Sequence, residues 1–217
     1  MRIVNIGEQN SILNNFIAEI RDRIIQKDSF RFRRNLERIG EIFAYEISKE
    51  LEYTTKSIQT PLGVAACNTL SDSLVLASII RAGLPLHNGL LSFFDASQNA
   101  FVAAYRKYGK DNKFTIQIEY TSTPSVEGKV LILADTMLAT GSSVLLAYNR
   151  LCDISKPKHS HIVCPIASVY GIEYLSKHLP HKETTLWVAA VDEELTVKSY
   201  IVPGLGDAGD LAYGSKL

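Results

Sequence analysis

Residues 130–143 read Val-Leu-Ile-Leu-Ala-Asp-Thr-Met-Leu-Ala-Thr-Gly-Ser-Ser. Val130 to Ala134 leave no polar face, which predicts a strand buried on both sides in a parallel sheet. Asp135 then stands at the carboxyl end of that strand, where open α/β sheets bind their ligands. Thr140-Gly141-Ser142-Ser143 leads into the helix-like run Val144–Leu151. Small hydroxyl residues and a glycine at a helix start leave backbone N–H groups free to hold an anion. The plainer reading is a polar turn in which Asp135 or Thr140 merely caps the helix. The Gly-Lys-[Ser/Thr] ending of a P-loop is absent.

Leu74–Ile80 has the same doubly buried character and runs into Arg81-Ala82-Gly83, then an apolar helix through Leu90, Leu91 and Phe94. Arg81 can fork onto a pyrophosphate, and the small residues after it let the backbone come close. An arginine simply solvated at the strand end fits equally. Two further strands, Ile162–Ala167 and Thr185–Val191, flank a helical Gly171–Leu179. Alternating buried strands and helices predict an α/β fold, a parallel sheet flanked by helices.

Ahead of the first buried strand, Ile3, Val4 and Ile6 make a short extended start. Ile12, Leu13, Phe16, Ile17, Ile20 and Ile24 then recur at helical spacing. A second helix begins at Asp28 or Ser29, with Phe32, Leu36, Ile39, Phe43 and Ile47 on its apolar side. Arg31, Arg33, Arg34 and Arg38 read as a solvated face offset by Glu37 and Glu41, or as a subunit contact. Residues 52–73 read as a connection with little pattern. Ala100–Arg106 and Phe114–Tyr120 look like a two-stranded arm around a Gly-Lys-Asp-Asn turn, with Arg106 placed to close over a phosphate. Lys107 and Lys110 are solubilising charges there. His159 and His161 read as an exposed turn after Lys-Pro-Lys rather than a metal pair.

The chain has 217 residues, enough for one domain spanning 1–217. Lys+Arg and Asp+Glu balance at 23 each, so no basic field draws it to nucleic acid or an anionic membrane. Cys67, Cys152 and Cys164 lack C-x-x-C spacing, which argues against a disulfide framework or a zinc site. No signal-peptide h-region and no apolar run of spanning length is seen, so a reducing, cytoplasmic setting is expected.

Tyr200-Ile201-Val202-Pro203-Gly204-Leu205-Gly206-Asp207-Ala208-Gly209-Asp210 is too rich in glycine and proline for a helix or a long strand. It reads as a turn-rich tail, or as a shaped backbone surface suited to a flat heterocycle, with carboxylates for ribose hydroxyls or a magnesium shell.

That segment resembles the uracil-binding segment of the uracil phosphoribosyltransferases. Ile80–Gly83 resembles their pyrophosphate loop, Tyr105-Arg106 their arm arginine and Asp135–Ser143 their ribose-phosphate loop. Phe30–Gly40 and Tyr45-Glu46 are similar to their N-terminal region. The resemblance implies a type I phosphoribosyltransferase fold with helices over about 8–50 and a C-terminal hood over about 192–217. It implies transfer of a phosphoribosyl group from 5-phosphoribosyl 1-pyrophosphate (PRPP) to uracil, giving UMP, with Mg2+ carried mainly by the diphosphate. Arg81, Arg106 and Asp135 are the implied catalytic residues. Thr136, Met137, Leu138, Ala139, Thr140, Gly141, Ser142, Ser143 and Asp207 join them on PRPP. Tyr200, Ile201, Gly206, Asp207 and Ala208 are implied on uracil. A homo-oligomer, dimer or tetramer, is implied as well.

Two departures stand out. The family loop usually reads Asp-Pro-Met-Leu-Ala-Thr-Gly-Gly-Ser, whereas Thr136 here replaces Pro and Ser142 the second Gly. A left-handed backbone at Ser142 would cost roughly 1–2 kcal/mol. The 52–73 connection is also shorter than usual, so allosteric control by a nucleotide is not implied. The rival readings are a phosphoribosyltransferase for another nucleobase and a non-catalytic nucleotide sensor on the same fold.

Overall fold

The computed structural model describes residues 1–108, 114–153 and 155–215, with the backbone alone for 105–108 and 114–116. The chain opens with β1 (Arg2–Asn5), α1 (Ile12–Arg21) and α2 (Ser29–Ser48). Ser11 caps α1 in a capping box, and the Asp28 side chain accepts from the N–H groups of Phe30 and Arg31 to start α2. A hairpin, β2 (Tyr53–Thr60) and β3 (Gly63–Leu70), precedes β4 (Leu74–Ile80) and α3 (Leu84–Phe93). The arm is β5 (Gln98–Tyr108) and β6 (Phe114–Ser122). Its expected Gly-Lys-Asp-Asn turn, the Arg106 side chain and the Lys107 and Lys110 charges lie outside the described residues.

The second half runs β7 (Val130–Ala134), β8 (Met137–Leu138), α4 (Ser142–Leu151), β9 (His159–Val163), β10 (Ile166–Ser168) and α5 (Val169–His178). It closes with β11 (Thr184–Val188), β12 (Ala190–Asp192), β13 (Glu194–Leu195), β14 (Ile201–Val202) and α6 (Ala208–Tyr213). Seven strands form the main sheet in the order β1-β11-β9-β7-β4-β5-β6, parallel except for the antiparallel edge strand β6.

Period-two alternation sorts the strand side chains onto two faces, and both are covered. Leu74, Leu76, Val130 and Ile132 meet α1, α2 and α3 through Leu13, Phe32, Leu36, Ile39, Phe43, Leu86 and Leu90. Val75, Ala77, Leu131 and Leu133 meet α4 and α5 through Val144, Ala147, Leu151 and Leu175. That double cover is why β7 carries no polar position and β4 only the small Ser78.

Two expectations are corrected. Residues 52–73, expected as a connection with little pattern, form the β2–β3 hairpin, paired in register from Tyr53–Leu70 to Thr60–Gly63. Nearly all of it is exposed, so no buried face imposes alternation on its sequence. His159 and His161 do not lie in an exposed turn: they sit on β9, and His161 is buried. The Trp187 indole N–H donates to His161 Nδ1 at 2.9 Å, and burial pushes the imidazole down to about 3. Among the described residues no group of three or more His, Cys, Asp or Glu could hold a metal ion.

Beyond the carboxyl ends of β7, β9 and β11 the chain forms a second, smaller parallel sheet in the order β12-β10-β8. Met137 pairs with Ile166, and Ile166 with Ala190. This sheet and the two-stranded β13–β14 ribbon carry the polar loops that follow the main strands.

Candidate active site

A cleft of about 840 Å³ opens at the carboxyl ends of β4 and β7. Its wall brings together Arg81 and Ala82, the stretch from Asp135 to Gly141 with Ser143, and Tyr200 with Gly206 to Asp210. These are the three loops that the sequence pointed to, each more than fifty residues from the next along the chain and brought together by the fold.

Asp135 leaves β7 with its N–H on the Val163 carbonyl at 3.0 Å, so its backbone belongs to the sheet. The Thr136 N–H donates to Asp135 Oδ1 at 2.7 Å. Burial pushes the Asp135 carboxyl up to about 7, against the Thr136 and Met137 N–H groups that pull the other way. The Thr136 side chain is itself buried, and its hydroxyl donates to the Ala82 carbonyl at 2.7 Å. One residue thus ties the loop after β7 to the loop after β4.

The expected anion cradle follows. Gly141, the N-cap of α4, has φ +82°, a left-handed conformation that glycine adopts without strain. A Cβ there would also meet the Tyr174 ring at 2.8 Å. Ser142 is the first residue of α4, and among the described non-glycine residues Ser199 alone has positive φ. The backbone cost considered for Ser142 therefore does not arise. Its hydroxyl accepts from that of Thr140 at 3.2 Å. Ser168 braces the cradle from beneath, donating to the Ala139 carbonyl at 2.6 Å.

On the opposite side Asp207 caps α6, accepting from the Asp210 N–H at 3.0 Å. Arg81 reaches across the mouth, its Nη2 3.4 Å from Asp210 Oδ1 and 3.2 Å from the Gly214 carbonyl. The peptide bonds Ile80–Arg81 and Val202–Pro203 are cis.

A family model described as uracil phosphoribosyltransferase matches residues 7–215. The chain belongs to the uracil phosphoribosyltransferase family. It is 52% identical over 217 residues to the uracil phosphoribosyltransferase of Porphyromonas gingivalis, covering 100% of both chains. A solved structure of an Aquifex aeolicus protein matches with TM-score 0.87 at 28% identity, over 99% of each chain. A hypoxanthine phosphoribosyltransferase of Staphylococcus aureus shares the fold, with TM-score 0.52 at 14% identity over 86% of this chain and 84% of that one.

Within the uracil phosphoribosyltransferase frame, Thr136 supplies two bonds that the family's usual proline cannot, since proline has neither N–H nor hydroxyl. Two expected residues stand outside the cleft wall. Ile201 turns its side chain into the core, and Ser142 does not line the cleft although Gly141 and Ser143 on either side of it do. Gly83 serves packing: a Cβ there would meet the Ile79 and Ala134 carbonyls at 2.7 and 2.9 Å. Glu119, Ser199 and Gly209 line the cleft without having been singled out. Glu119 was legible only as a polar position in the alternation of β6, and nothing in the sequence tied that position to the loops opposite.

Proposed function

We propose that residues 1–217 form one domain that transfers a phosphoribosyl group from PRPP to uracil, giving UMP and pyrophosphate. The observation that carries this reading is the meeting of three loops in one cleft. A cation, an acid with an N–H cradle, and a glycine-rich hood face one another there.

The N–H and hydroxyl groups of Thr140, Gly141 and Ser143 hold the 5-phosphate at the start of α4, with Ser142 bracing the Thr140 hydroxyl from outside the cleft wall. Met137, Leu138 and Ala139 shape the floor of that loop. Asp135 accepts from the ribose hydroxyls. Arg81, with Arg106 from the arm, neutralises the charge that builds on the departing pyrophosphate. As the bond at the anomeric carbon breaks, positive charge develops on the ribose ring. A carboxylate already fixed beside it stabilises that charge without reorganising.

Uracil lies under the hood against Tyr200, read by the backbone of Gly206 and Ala208, with Ile201 shaping the turn from below. A carbonyl facing the ring N3–H and an N–H facing a ring carbonyl reject cytosine, whose pattern is reversed at that edge. Each buried polar group left unpaired costs about 1–3 kcal/mol.

Mg2+ suits the donor set. Asp207 and Asp210 offer hard carboxylate oxygens, and a cation that keeps water and substrate oxygens needs only one or two of them. Asp207 and Asp210 would hold it from the hood side. When bound it would neutralise part of the diphosphate charge.

The exposed β2–β3 hairpin supports a homo-oligomer, dimer or tetramer, because a two-stranded hairpin with both faces in water is marginal alone. The three free cysteines accord with a cytoplasmic setting. No helix among the described residues is long and apolar enough to cross a membrane.

The test offers uracil, cytosine, hypoxanthine and no base in parallel, with PRPP and Mg2+. UMP formation with uracil alone is the expected result. Turnover with another base would discard the hood assignment, and tight PRPP binding without turnover would make the protein a sensor.

A further inference from the structure

The hood turn is tied to the N-terminal helix by a buried ion pair that lies outside the cleft wall. Arg21, the last residue of α1, forks onto Asp192, with Nη1–Oδ2 at 2.9 Å and Nη2–Oδ1 at 3.0 Å. Asp192 Oδ2 also accepts from the Gly204 N–H at 3.0 Å, and Arg21 Nη1 donates to the Gly204 carbonyl at 3.3 Å. Both polar backbone groups of one turn residue are therefore held by a single pair. The Asp192 side chain is only 8% exposed and that of Arg21 20%, so water competes weakly for these bonds.

Gly204 is where such a grip has most effect. Its φ is +53°, and a Cβ would meet the Ile201 carbonyl at 2.2 Å, so the chain doubles back tightly there. Two residues later Gly206, Asp207 and Ala208 enter the cleft wall. Asp192 ends β12, whose sheet partner β10 pairs with β8 in the phosphate loop. The carboxylate thus relates the turn carrying Gly206–Ala208 to the strand layer carrying Met137 and Leu138.

We propose that Arg21 and Asp192 are positioning residues for base recognition: they fix both backbone groups of Gly204 and so set the Gly206–Ala208 backbone against the base. The proposal rests on the hood being the base site. A planar fork is required, because an ammonium at position 21 would supply the charge without the two parallel bonds.

The test is Arg21→Lys in the full chain, using whichever base the wild-type protein turns over. The base KM should rise about tenfold while the PRPP KM stays within about twofold, since misplacement of a positioning backbone weakens what it positions. Amide exchange of 201–208 should speed up in the ligand-free variant, with 137–141 unchanged. Asp192→Asn, which retains an acceptor for the Gly204 N–H, should show the same split to a smaller degree. Equal movement of both KM values, movement of neither, or unchanged exchange would overturn the proposal. So would failure of both variants to fold, which would make the pair a general strut. Wild-type turnover of a base other than uracil would sink the uracil reading alone, because the ratio of the two KM values still reads the clamp.

Discussion

The wall of the cleft proposed to hold phosphate, residues 135–143, continues directly from β7 and pairs through β8 with a second sheet, so much of its geometry is set by backbone hydrogen bonds. The hood wall, from Ser199 to Asp210, contains two residues of strand and a short helix. Apart from the short pairing of β14 with β13, it is held by side chains reaching from other elements. Arg21 and Asp192 grip Gly204, and Arg33 of α2 donates to the Ala212 carbonyl at 2.6 Å. A wall built into a sheet is set when the fold is set. A wall hung on side chains can be loosened one bond at a time without disturbing the core.

The largest way to break this contrast is at Asp135, where the wall is stiffest. Asp135→Asn keeps the shape and removes the charge, so turnover should fall by at least about a hundredfold while the fold persists. Its stability signature has a defined sign. A carboxyl whose folded value is about 7 rather than 3.8 stabilises the fold fully below 3.8, and that contribution is lost as the pH rises through 7. The variant lacks this titration. Its melting temperature should therefore improve relative to wild type between about pH 4 and about pH 8 in the absence of ligand. A difference that does not vary with pH would mean that Asp135 is not held in its protonated form by burial.

A smaller effect is expected at Thr136, where the two phosphate-side loops are joined. Thr136→Val removes the hydroxyl that donates to the Ala82 carbonyl but leaves the N–H that donates to Asp135. The loss should be about 1 kcal/mol of stability, because the cleft lets water replace part of the bond. The PRPP KM should rise a few-fold with the base KM unchanged. Equal movement of both would show that the two walls are mechanically one.

The same division explains what the sequence could and could not disclose. The phosphate wall is contiguous, and its strand is marked by five apolar residues with no polar face, so strand, acid and cradle were readable in order. The hood announced itself through glycine and proline that exclude regular structure. The hood's supports were not readable, because Arg21 and Asp192 stand 171 positions apart and neither departs from ordinary surface chemistry in its local context. Strands of two or three residues, such as β8, β10 and β12, are too short to show a period. The β2–β3 hairpin escaped for the opposite reason, having no buried face to write a pattern. His161 looked exposed because its Lys-Pro-Lys neighbourhood is polar, while the Trp187 that covers it comes from a different strand.

The finest test compares one backbone conformation on the two walls. Gly141 on the phosphate side has φ +82°, and Ser199 on the hood side has φ +61°. A Cβ at Gly141 is both strained and crowded by Tyr174, so Gly141→Ala should cost about 1–2 kcal/mol and impair PRPP binding. Ser199 already carries its Cβ, in a turn closed by its own N–H on the Thr196 carbonyl and by the Tyr200 N–H on the Thr196 hydroxyl. Ser199→Gly relieves roughly 1 kcal/mol of left-handed strain but restores freedom to the unfolded chain worth roughly 0.4–1 kcal/mol. The two terms nearly cancel, so thermal stability should change little. What should change is Tyr200, whose turn becomes easier to deform, and with it the base KM, raised slightly while the PRPP KM holds. If Ser199→Gly instead stabilises the protein by the full strain and leaves the base KM alone, the hood turn is already as rigid as the phosphate wall, and the contrast between the two fails at its weakest joint.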